Sequence, residues 1–89
     1  MPESEIMFKV LKSVDHDRKC VSFSLRGVNS GWGWVEKDGV YTDPKYPNSS
    51  KKFTLDCWAF DEAEGKKVVA VLEAAYKLAG YTRTSVKPV

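Results

Sequence analysis

One histidine, His16, and two cysteines, Cys20 and Cys57, supply the only imidazole and the only thiols of this 89-residue chain. Any Cys–His or Ser–His mechanism must therefore run through His16, and a zinc site would need His16, both cysteines and a carboxylate. His16 sits between Asp15 and Asp17 in a turn-forming stretch, and the cysteines lack paired CxxC spacing, so neither catalysis nor metal binding is expected there. Carboxylates also cluster at Asp61, Glu62 and Glu64, where the start of a helix explains them. Gly65-Lys66-Lys67-Val68 lacks the leading glycine and the hydroxyl residue of a phosphate-binding loop, and neither GxGxxG nor GxSxG occurs. The residues point to a protein that is not an enzyme and carries no cofactor.

What turns, caps and strands do not account for is the aromatic group of the middle segment. Trp32, Trp34, Tyr41, Tyr46, Phe53, Trp58 and Phe60 are interleaved with Lys37, Lys45, Lys51 and Lys52. Aromatic rings on an open sheet face, with lysines beside them, can stack the bases of a nucleotide or of single-stranded nucleic acid, each base contributing about 1–3 kcal/mol. On this reading Trp32, Trp34, Tyr41 and Trp58 stack, while Lys37, Lys51 and Lys52 meet phosphate. The same rings could anchor a larger protein, as in a small inhibitor or adaptor encoded by a phage or mobile element. They could form an aromatic cage for a methylated lysine. They could also close a second small core, with Tyr46 folded over Trp32 or Trp34.

Composition bounds these readings. Fourteen Lys and Arg against twelve Asp and Glu give a net charge of +2, which permits an anionic partner without the strongly basic footprint of a duplex-DNA binder. With 43% hydrophobic residues the chain can build one core, and a single domain over residues 1–89 is expected. A domain this small has little interior to give to a deep catalytic cavity. No apolar stretch approaches the roughly 18 residues of a membrane span, and Met1-Pro2-Glu3-Ser4-Glu5 does not read as a signal peptide. A cytoplasmic protein with reduced cysteines is expected, and Asn48-Ser49-Ser50 then reads as loop rather than glycosylation site.

These side chains need elements to hold them. Ile6, Phe8, Val10 and Val14 alternate with polar neighbours, and Val21, Phe23 and Leu25 do the same. The turn formers Asp15 to Lys19 join the two runs into a hairpin. Trp32-Gly33-Trp34-Val35 begins a third strand, which Asp38-Gly39 folds back onto Val40-Tyr41-Thr42 through a type I′ turn. Pro44 and Pro47 make residues 43–50 the longest loop. Phe53, Leu55, Cys57 and Ala59 then alternate with Thr54, Asp56, Trp58 and Phe60 as a further strand.

Asp61 as cap opens a helix to Gly80, with Val68, Val71, Leu72, Ala75, Leu78 and Ala79 as its expected core stripe. If that helix covers the Phe53, Leu55 and Cys57 face, Trp58 and Phe60 lie on the opposite side. Tyr81 to Val86 can add a short edge strand.

The expected fold is α+β: an antiparallel sheet of four to six strands with one long amphipathic helix on one face, in the order ββββ(β)α(β). That layout, over roughly residues 20–80, resembles the single-stranded nucleic-acid-binding modules of the PUR and transcription-coactivator types, which implies a sheet face that binds a single strand. The chain departs from them in having only Arg18, Arg26 and Arg83 as arginines. An exposed sheet edge also permits a homodimer by strand pairing.

Overall fold

The computed structural model describes residues 7–27, 34–49, 51–82 and 86–88. Strands β1 (Phe8–Asp15), β2 (Cys20–Gly27), β3 (Val35–Lys37), β4 (Val40–Thr42) and β5 (Phe53–Ala59) precede helix α1 (Glu62–Leu78) and strand β6 (Val86–Pro88). They form one six-stranded sheet in the order β3-β4-β5-β1-β2-β6, antiparallel except where β6 lies parallel to β2. The architecture is the expected α+β layout, with one helix packed on one sheet face. The third strand starts at Val35, and Trp32 and Gly33 lie outside the described residues. Among the described residues no helix is long and apolar enough to cross a membrane.

Turn chemistry fixes both hairpins. Asp15 Oδ1 accepts from the N–H groups of Asp17 and Arg18 at 3.1 and 3.0 Å, closing the β1–β2 turn. Asp38 and Gly39 both have positive φ, at 56° and 80°, which a type I′ turn between β3 and β4 requires.

On the face that carries the helix, Val10, Val21, Phe23, Leu25 and Ala59 form a buried core with Val69. The helix turns inward a stripe that keeps Val68 and Leu72 of the expected one but is rotated away from its other members. Gly65, Val68, Val69, Leu72 and Tyr76 face the sheet, whereas Val71 is 68% exposed and Leu78 90%. Gly65 is the physical reason. A Cβ there would stand 2.5 Å from Leu25 Cδ1, so the helix approaches β2 through this glycine, which sets its rotation. Hydropathy cannot see this, because glycine marks contact by absence of a side chain.

Both helix ends are closed. Asp61 Oδ1 accepts the Glu64 N–H at 2.8 Å, and Glu64 Oε1 accepts the Phe60 N–H at 2.7 Å. At the other end Gly80, with φ 94°, allows Gly80 N–H to reach Lys77 O and Tyr81 N–H to reach Tyr76 O, the two bonds of a Schellman motif. Tyr81 then packs edge-on against Tyr76 with centroids 5.2 Å apart, and its hydroxyl lies 2.7 Å from His16 Nδ1 in the β1–β2 turn. Thr82 N–H donates to Lys19 O at 2.7 Å, leading the chain back beside β2. His16 is thereby a tether between the turn and the segment after the helix.

The largest departure from expectation lies in β5. Val10 pairs with Cys57 but Leu11 pairs with Leu55, so Asp56 is an extra residue opposite β1. This β-bulge interrupts the two-residue alternation. Cys57 and Ala59 pack against the helix core, while Phe53 and Leu55 pack on the opposite face with Leu11, Tyr41 and Trp34. The helix therefore does not cover the Phe53 and Leu55 face. Lys12 Nζ holds Asp56 at 2.9 Å. The hydrogen bond to Asp56, outweighing the lowering effect of burial, raises the Lys12 pKa above its ordinary 10.5.

Two stability measurements follow. Gly65→Ala should lose about 1–2 kcal/mol in urea unfolding despite alanine's better helix propensity, because the added methyl overpacks Leu25. Asp56→Ala should cost about 1.5–3 kcal/mol at neutral pH, the range for a hydrogen bond to a charged group. The Lys12 contribution is fully present below pH 10.5 and is lost as pH rises through the raised folded-state pKa, so the gap between wild type and Asp56→Ala should close at alkaline pH.

Candidate functional site: a cavity on the helix-free face

Below the bulge, the helix-free face is closed by a second core. Leu11, Tyr41 and Phe53 are buried there, with Trp34 and Leu55 packed against them. The Trp34 and Phe53 rings meet at 75° with centroids 5.3 Å apart. Arg26 extends from β2 over the Trp34 ring, its Cζ 4.7 Å from the centroid. Burial holds the Arg26 pKa below its ordinary value, partly opposed by the carboxylate of Asp43.

Beside this core lies a cavity of about 550 Å3. Its sheet side is formed by Ser22 and Ser24 of β2 with Trp34 and Phe53, and its outer wall by the loop bearing Pro44, Tyr46 and Pro47. Consecutive local bonds give that loop its shape. Asp43 Oδ1 accepts Lys45 N–H at 2.9 Å, Asp43 O accepts Tyr46 N–H at 3.0 Å, and Tyr46 O accepts Ser49 N–H at 3.1 Å. Ser49 Oγ then accepts Lys51 N–H at 3.1 Å, and the Lys51 ammonium donates to Ser22 Oγ at 3.2 Å across the cavity rim. Two prolines keep the loop from pairing as a strand, which is why it arches over the sheet.

The structure distributes the sequence candidates unevenly. Trp34 and Lys51 line the cavity. Tyr41 is only 6% exposed, with the Lys9 ammonium 4.8 Å from its ring centroid. Trp58 is 50% exposed at the far end of β5, 5.7 Å from that same ammonium. It is five positions from Phe53, a span of about 15 Å along a strand. Lys37 is exposed at the turn end of β3, opposite the Val35–Thr42 end that adjoins the cavity. Lys52 is exposed next to Lys51. Trp32 lies outside the described residues.

Residues that sequence reasoning did not single out complete the cavity: Ser22, Ser24, Asp43 and the two loop prolines. The polar side of β2, Ser22-x-Ser24-x-Arg26, was the available signal. Three alternating polar positions on a central strand mark a face that is not simply packed.

Other reactive groups are accounted for structurally. Burial, reinforced by Asp56, pushes the Cys57 thiol above its ordinary pKa, so little thiolate forms at neutral pH. Both cysteines are free thiols. Among the described residues no group of three or more His, Cys, Asp or Glu side chains is placed to hold a metal ion.

Ser24 is 1% exposed, and neither its Oγ nor the indole Nε1 of Trp34 has a hydrogen-bond partner among the described residues. Leaving a buried hydroxyl unpaired costs about 1–3 kcal/mol, so Ser24→Ala should raise stability, by about 1 kcal/mol, as read by the urea midpoint at constant m-value. Comparison of the chain with protein-family models, with curated proteins and with solved structures finds no match.

Proposed function

We propose that this protein is a cytoplasmic, non-enzymatic binding module whose helix-free face captures a nucleotide or single-stranded nucleic acid. The observation that carries the reading is the cavity of about 550 Å3 with aromatic and proline walls and a lysine at its rim. Sites for small ligands are concave, largely apolar and furnished with a few placed polar groups, within about 300–1,000 Å3. A base is a flat π-surface suited to stacking on aromatic walls, which Tyr46, Trp34 and Phe53 supply here. Lys51, with Lys52 next in the chain, supplies positive charge for phosphate. The modest net charge of +2 suits a ligand with few phosphates better than a duplex.

An inhibitor or adaptor that binds a larger protein is the second reading. It draws on the half-exposed Trp58 and on Phe60, 67% exposed, neither of which lines the cavity. Aromatic residues of this kind are favoured anchors in protein interfaces. The short β3 at the sheet edge adds a place where a second strand, including that of another copy, could pair.

Titrating intrinsic tryptophan fluorescence with nucleotides and single-stranded oligonucleotides at low and high salt separates the two. Quenching that saturates at low salt and weakens at high salt is expected, with affinity about tenfold lower for Lys51→Ala. A flat titration at low salt overturns the nucleotide reading and favours the protein partner.

A further inference from the structure

We infer that the cavity admits one nucleobase at a time and that, among the described residues, the rest of the sheet face is not a stacking platform. The inference rests on the nucleotide-binding reading above and narrows it to a ligand class: a single base carrying one phosphate, whether free or within a strand.

A platform for successive bases needs several open rings in a row. Among the described residues no such row leads away from the cavity. Tyr41 is buried, and one ammonium, that of Lys9, lies 4.8 Å from the Tyr41 ring and 5.7 Å from that of Trp58. Lys9 pairs with Trp58 in the register, so this cation belongs to the sheet and fills the gap between the two aromatics. Trp58 is then about 15 Å from the cavity along β5, beyond the reach of a base stacked on Phe53.

Charge points the same way. Lys51 stands at the rim, but Asp43 also lines the cavity, so a run of phosphates tracking through it would meet a carboxylate. One phosphate at the Lys51 end avoids that contact.

The test is calorimetric titration with nucleoside monophosphates, dinucleotides and long homopolymers of the same base. A single-base site predicts affinity per site that changes less than about threefold with length, and a log–log salt slope near one, since each phosphate neutralised on a single strand contributes about 0.7. Similar affinity for the free monophosphate and the homopolymer also shows that the site does not distinguish a free nucleotide from one in a strand. Affinity that climbs steadily with length, with a slope of several, overturns the single-base site but leaves nucleic-acid binding standing. No heat and no quenching with any of these probes overturns the nucleotide reading itself, and the single-base site falls with it.

Discussion

The ion pair between Lys12 and Asp56 sits at the point on which the arrangement of side chains depends. Asp56 is the extra residue of the β5 bulge, and Lys12 of β1 gives its carboxylate a partner 2.9 Å away. Because side chains alternate along a strand with period two, one inserted residue exchanges faces for everything on one side of it. Without the bulge, Phe53, Leu55, Cys57 and Ala59 would share one face. With it, Cys57 and Ala59 serve the helix core while Phe53 and Leu55 build a second core beneath Trp34. The cavity exists because Phe53 is on the helix-free face.

The two faces of the sheet are closed by different means. The helix is held at both ends and along its length: a side-chain cap at Asp61, a glycine-fitted contact at Gly65 against Leu25, and a Schellman motif that delivers Tyr81 to His16. Among the described residues no regular element lies over the opposite face. It is covered by Trp34 and by a proline-bearing loop whose turns leave room beneath them. A loop braced by short hydrogen bonds over a rigid sheet is a common way to place recognition groups without costing the core its packing.

Cations on this face interact largely with rings. Lys9 lies beside Tyr41 and Trp58, Arg26 covers Trp34, and on the other side of the molecule Lys19 lies 4.9 Å from the Tyr81 ring centroid. Interleaved lysines and aromatics in a sequence therefore have two meanings, and here much of the pattern is internal pairing between the protein's own cations and rings. Lys51 differs, since its ammonium meets a serine hydroxyl at the cavity rim rather than a ring.

The sequence by itself determined the elements: both hairpins, the proline loop, the capped helix and the α+β layout follow from alternation, turn residues and caps, which act over a few neighbouring residues. Tertiary structure decided which side each element shows. Val68 and Leu72 of the expected helix stripe do face the sheet, but Val71, Ala75 and Leu78 give way to Val69 and Tyr76, because Gly65 makes its contact through a missing side chain. Phe53 and Leu55 changed faces because the extra residue at Asp56 is defined only by pairing with β1, and no local pattern in β5 encodes its partner's register. The candidate site divided for the same reason. Spacing assembled Trp34, Tyr41 and Trp58 into one group, and packing against Arg26 and Lys9, remote in the chain, sent one to a cavity wall, one to a core and one to the surface.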